Sequence, residues 1–189
     1  MVRFINLNNK CNKFLILMLL IFIMSCSGQN EIIQNTAQQR EVSYMKLSSS
    51  AFVDKGSIPK EFTCDDEDLS PPLVISDVPK NAKRLALIMD DPDAPIGTFV
   101  HWVVWNIPPE TREIKKGTKP EGIQGRTDFG RNGYGGPCPP SGTHRYFFKL
   151  YALDTILNLK QGSTKKDLEN TMNKHIIEDT QLIGTYRRG

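Results

Sequence analysis

Two histidines, a tyrosine and an aspartate occupy positions from which an extended chain could bring them together. In Thr143-His144-Arg145-Tyr146 the imidazole and the phenol are two residues apart, so a strand points both to one face. His101, within Phe99-Val100-His101-Trp102, and Asp91, heading Asp91-Pro92-Asp93-Ala94-Pro95, fall at the ends of two further apolar runs. An antiparallel sheet would set the His101 strand beside the His144 strand. Imidazolium and hydroxyl donors converging on one cavity suit an anion, each charge-assisted bond contributing about 1.5–3 kcal/mol. A carboxylate would repel that anion, so Asp91 is expected behind a histidine, orienting the ring and fixing its tautomer. Singly these residues say less: His101 beside Trp102 reads as a packed core residue, Asp91-Pro92-Asp93 as a turn, and His175 as a surface residue of a helix. Asp91, His101 and His144 also have the composition of a two-His, one-carboxylate metal site, and a water-activating hydrolase is the competing reading.

Ahead of His144 runs Tyr134-Gly-Gly-Pro-Cys-Pro-Pro-Ser-Gly142. Gly135, Gly136 and Gly142 permit positive φ and close backbone approach, while Pro137, Pro139 and Pro140 remove amide donors and stiffen the chain. Such a loop shapes a cavity, with Pro137 and Cys138 among its walls, and it lacks the Lys-Ser or Lys-Thr ending of a phosphate-cradling P-loop. Arg131, just upstream, is the side chain on which a protease-inhibitor reading would rest.

The elements that must carry these residues are short. Tyr44–Leu47, Leu73–Ile75, Arg84–Met89, Phe99–Ile107 and Tyr146–Leu153 are apolar or alternating runs separated by Pro and Gly, the pattern of a mostly β, antiparallel sandwich with long Pro/Gly-rich loops. Phe99–Ile107 is apolar on both faces, with Phe99, Val103, Trp105 and Ile107 assigned to one and Val100, Trp102 and Val104 to the other, and is expected at the centre of a sheet. One C-terminal helix is expected from Thr164 to about Glu178, opened by a Thr164/Asp167 capping pair and carrying Leu168, Met172 and Ile176 on one stripe. The Gly117–Gly142 span has too much Pro and Gly for regular structure, and so long a loop in one domain points to function.

The N-terminus has the layout of a secretory signal: Arg3, Lys10 and Lys13 precede an apolar run from Phe14 to Met24. As a helix that run spans about 16 Å, roughly half of the hydrocarbon layer, which is short for a permanent span. Ile23-Met24-Ser25-Cys26 looks like a lipobox, in which Cys26 becomes the acylated N-terminus; several acyl chains would hold the protein on a membrane durably. The expected organisation is therefore a signal over 1–25, a lipidated flexible tether over 26–42 and one domain over 43–189, giving an exported, cell-envelope lipoprotein. Losing residues 1–25 removes three basic residues and leaves 21 charges of each sign, which argues against a nucleic-acid partner. Cys64 and Cys138 are then the cysteines that remain, and an oxidising compartment favours their pairing, with two reduced thiols as the alternative.

Further motifs follow in order: Phe52-Val-Asp-Lys-Gly-Ser-Ile-Pro59, Phe62-Thr-Cys-Asp65, Leu69-Ser-Pro-Pro-Leu73, Asn106-Ile-Pro108, Thr127-Asp-Phe-Gly130, Tyr151-Ala-Leu-Asp154 and Leu182-Ile-Gly-Thr-Tyr186. With the pocket segments, they make the chain from Met45 to its C-terminus resemble the phosphatidylethanolamine-binding protein family, in its bacterial Raf kinase inhibitor-like branch. The resemblance implies a β-sandwich whose anion or phospholipid-headgroup pocket is lined by the positions matching Asp91, His101, His144 and Tyr146. It also implies binding rather than catalysis and no required cofactor, some members inhibiting kinases or serine proteases. Asp66-Glu67 departs from the Gly usual after the Thr-Cys-Asp turn, and the lipoprotein start is not shared by cytosolic members.

Overall fold

The computed structural model describes residues 43–188; the expected signal, Cys26 and the tether lie outside the described residues. Two antiparallel sheets face each other. The smaller has the order β1 (Lys46–Ser48), β2 (Leu73–Ser76), β5 (Glu113–Ile114), and the larger the order β6 (Ile123–Gln124), β4 (Phe99–Ile107), β3 (Arg84–Asp91), β7 (Thr143–Leu153), β8 (Ile176–Arg187). Leu47, Leu73 and Ile75 pack from one sheet against Leu85, Leu87, Met89, Trp102, Val104 and Phe148 of the other. On the outer face, Ala86, Ile88, Val103 and Trp105 are covered by Leu157 and by Leu168 and Met172 of helix α1 (Lys165–Met172). Covered on both sides, β3 reads as an unbroken apolar run, each buried Leu, Ile or Met contributing about 1.5–3 kcal/mol.

Helix α1 opens as the sequence suggests, with a complete capping box: the Asp167 amide donates to Thr164 Oγ1 and the Thr164 amide to Asp167 Oδ2. It closes earlier than Glu178. Residues Ile176–Arg187 are a strand that pairs with β7 along nearly its whole length, from Thr143↔Arg187 to Leu153↔Ile176. The β-branched residues Ile176, Ile177 and Thr180 suit that pleated edge, and the ladder wins over the i+4 spacing of Ile176. His175 consequently lies in the turn after the helix, its Nδ1 2.8 Å from Asp154 Oδ1. The span Gly117–Gly142 also departs from expectation: Ile123–Gln124 pairs with Trp105 and Val104 as β6, and Arg126 bridges Asn132.

Strand β4 does not alternate strictly. Met89 pairs with Trp102 and Asp90 with Val100, leaving His101 as the extra residue of a bulge; a second irregularity near Asn106, whose φ is 58°, shifts the register again before Ile107. Between and beyond these bulges the faces exchange, so Ile107 joins Trp102 and Val104 in the inter-sheet core while Val100 joins Val103 and Trp105 outside. That corrects the assignment from plain alternation, because each extra residue turns the following side chains over. Met45 is fastened at the start of β8, at the end of the sheet away from His101, where its amide donates to Glu178 Oε1 at 2.6 Å.

Candidate functional site

At the end of the large sheet where β3 stops and β7 starts, Asp91, His101, Cys138 and His144 line one cavity of about 280 Å³, walled by Ala94, Pro95, Ile96, Phe99, Phe129 and Pro140. His101 and His144 do not sit on neighbouring strands as expected, because β3 runs between β4 and β7. The bulge compensates. It turns His101 to the inter-sheet side, where its ring meets the edge of Tyr146 at 5.2 Å and of Phe129 at 5.3 Å.

Each imidazole is oriented through Nδ1. His144 Nδ1 lies 2.7 Å from Asp91 Oδ2, and the other Asp91 oxygen accepts the Asp93 amide at 2.8 Å. Asp91 is therefore fully engaged behind the histidine, and the turn it closes is held by the fork of Arg145 on Asp93. Hydrogen bonds from Arg145 keep the Asp93 carboxyl at about 2, so that clamp stays ionised. His101 Nδ1 lies 2.7 Å from the carbonyl oxygen of Gly135. A carbonyl only accepts, so Nδ1 carries the proton and Nε2 of the neutral ring is a lone pair. Burial holds this imidazole below the ordinary histidine range, although the Gly135 carbonyl and the Asp91 charge pull the other way. Among the described residues neither Nε2 has a hydrogen-bond partner.

The loop after Tyr134 is built for contact with its neighbours. A Cβ on Gly135 would lie 2.3 Å from the Phe129 ring, and one on Gly136 would lie 2.5 Å from the Phe62 carbonyl oxygen. Close approach, rather than positive φ, is why both are glycine; of the loop's glycines expected to need it, Gly142 has positive φ, at 71°. Cys138 is joined to Cys64, with sulfurs 2.07 Å apart, and the Cys64 amide donates to the Pro137 carbonyl. Closing a loop of 74 residues contributes about 4 kcal/mol in the chain-entropy treatment. Tyr134 adds a hydroxyl donation to the Phe62 carbonyl at 2.7 Å.

Pro137 and Tyr146, counted among the pocket residues from the sequence, are buried and stand behind the lining. Burial, and then the charge of Asp91, pushes the Tyr146 phenol far up, so it stays protonated. Its hydroxyl is near enough to the Cys138 amide to temper that shift, yet it makes no hydrogen bond of full geometry. Asp91, His101 and His144 do not form a metal cage: among the described residues no group of three or more His, Cys, Asp or Glu is placed to hold an ion, and each Asp91 oxygen already takes part in a hydrogen bond.

A larger cavity, about 360 Å³, lies where Asp68, Trp102, Lys119, Gln124 and Tyr134 meet. The smaller one is the better candidate because it alone gathers two imidazoles with open nitrogens. Sequence reading passed over Asp68. Its carboxylate accepts the Gly136 amide at 2.6 Å and Arg131 Nη2 at 3.0 Å, and its φ of 56° is left-handed.

Residues 48–187 match the family model described as phosphatidylethanolamine-binding protein. A UPF0098 protein of Methanothermobacter thermautotrophicus is 52% identical over 151 residues, which cover 77% of this chain and all of that protein. The solved structure of the phosphatidylethanolamine-binding protein homologue CT736 of Chlamydia trachomatis superposes with a TM-score of 0.75 at 42% identity, over 77% of this chain and 99% of that one. Escherichia coli YbcL, described as a member of the mammalian PEBP family, gives 0.72 at 30% identity, over 78% of this chain and 100% of that one.

Proposed function

The chain belongs to the phosphatidylethanolamine-binding protein family, and from that premise we propose that it is a binding protein whose cavity takes small phosphate-bearing or carboxylate-bearing ligands such as phospholipid headgroups. The observation that carries this reading is the pair of open Nε2 atoms, on His101 and His144, facing one cavity with both Nδ1 atoms already held. Neutral rings in that arrangement accept hydrogen bonds and do not donate them. An anion therefore binds together with a proton, either carried on its own acidic oxygen or taken up by a ring, which then becomes a charge-assisted donor. Two or three such bonds, less desolvation and ordering, give modest affinity and little selectivity. On the same reading the protein is exported, acylated at Cys26 and tethered to a cell-envelope membrane.

Sulfate tests the pocket cleanly, because it stays a dianion over the whole pH range in which an imidazole can gain a proton. It should raise the melting temperature by more at pH 5.5 than at pH 8, and phosphorylethanolamine, whose phosphate keeps an acidic proton only below about pH 6, should follow the same order. Equal stabilisation of the His101→Ala, His144→Ala double variant would remove the pocket from consideration. Acylation is tested separately by metabolic labelling with an alkynyl fatty acid, which a Cys26→Ser substitution should abolish.

A further inference from the structure

We propose that Asp68 is the positioning residue for His101, acting through a single peptide group. The oxygen that holds His101 Nδ1 and the amide that donates to Asp68 Oδ1 belong to the same unit, the bond between Gly135 and Gly136. His101 is thus backed by an aspartate just as His144 is by Asp91, with one peptide plane inserted between ring and carboxylate. The two hydrogen bonds on that plane, 2.7 Å and 2.6 Å, run in one direction, so each polarises the group for the other: the carboxylate draws on the amide hydrogen and leaves the carbonyl oxygen a better acceptor for the imidazole N–H. The proton is thereby kept on Nδ1, and the lone pair is kept on the Nε2 that opens to the cavity.

Local structure explains why an aspartate can reach this plane. Asp68 sits at φ 56°, a conformation that Asp and Asn tolerate better than other side-chain-bearing residues, and Gly136 leaves no Cβ in the way: one built there would be 2.6 Å from Asp68 Oδ1. The second carboxylate oxygen is held by Arg131, whose guanidinium lies 5.8 Å from the centroid of Phe129, and Phe129 packs edge-on against His101. One carboxylate therefore sets both the ring's hydrogen-bond partner and the aromatic wall beside it. A peptide flip would be the simplest way to lose the arrangement, because it would turn the Gly136 N–H toward His101 and force the proton to Nε2.

The role rests on the proposed pocket only for its use, since the tautomer of His101 can be read without any ligand. In Asp68→Gly, which keeps the left-handed backbone and removes the carboxylate, the ¹⁵N shifts of His101 at pH 8 should move from the pure Nδ1-H pattern toward a mixture, with His144 unchanged. Sulfate affinity at pH 5.5 should fall about tenfold, the lower end of what is lost when the partner orienting a metal-binding histidine is removed. Asp68→Asn retains an acceptor for the Gly136 amide and should restore the tautomer pattern and most of the affinity. An unchanged His101 pattern in Asp68→Gly overturns the assignment, and so does loss of the pattern in Asp68→Asn with the fold intact. A shifted pattern with no sulfate binding in either protein would leave the relay standing and overturn the anion reading instead.

Discussion

Asp90 and Asp91 are consecutive on β3, both almost fully buried, and they do opposite things. Asp90 points to the outer face of the sheet, where Oδ2 accepts from Lys149 at 2.9 Å and from Lys165 at 2.6 Å while Oδ1 has no partner. Burial works against the Lys165 ammonium, yet its bond to Asp90 holds it above the ordinary lysine range, so this lysine keeps its charge at any physiological pH. Asp91 points inward and is satisfied by one backbone amide and one imidazole, a partner that can gain or lose a proton. The same residue type on the same strand ties two lysines together on one face and orients an imidazole on the other. Strand alternation alone decides which.

The comparison breaks most visibly at its covalent part. Cys64→Ser with Cys138→Ser should cost on the order of 4 kcal/mol by denaturant titration, and it should weaken sulfate binding because the loss falls on the Asp91 side. Asp90→Ala should cost about 3 kcal/mol by leaving two lysines around a partly buried vacancy, with sulfate affinity unchanged. If sulfate affinity falls as well, the two faces are not independent. Asp91→Asn keeps the shape and should cost only about 1–2 kcal/mol while lowering sulfate affinity at pH 5.5, read by calorimetry. The smallest effect is that of pH on the unliganded domain. The folded His101 binds its proton more weakly than the unfolded chain does, so its contribution to stability is complete above about pH 6.5 and is lost as pH falls through that value toward the lower folded one. A His101→Gln variant should show a shallower decline in melting temperature over that range.

Much of this was legible in the chain. The apolar runs of β2, β3, β4 and β7 and the Thr164/Asp167 cap stand out because burial and capping leave local signals. Strand β8 does not, since its half-exposed edge residues Glu178, Asp179 and Gln181 mask the alternation and Ile176 extends the helical spacing. The bulges at His101 and near Asn106 were also hidden, being set by pairing with β3 rather than by composition. Asp91, His101 and His144 could be picked out by type, but not that the His101 ring presents a lone pair, which depends on a carbonyl thirty-four residues away. Asp68 was invisible for a different reason: it is one acid among Asp65, Asp66, Glu67 and Asp68, and only its backbone angle and the Gly136 contact distinguish it.

The place where the chain joins the domain has a directional consequence. Met45 is fastened beside Glu178, and Tyr186, the cross-strand partner of His144, lies eight steps further along β8, a distance of about 27 Å along the strand. Met45 therefore marks one pole of the domain while the cavity opens at the other. A bulky label on the exposed Tyr44 would therefore leave the mouth unobstructed, whereas the same label near Arg145 would crowd it.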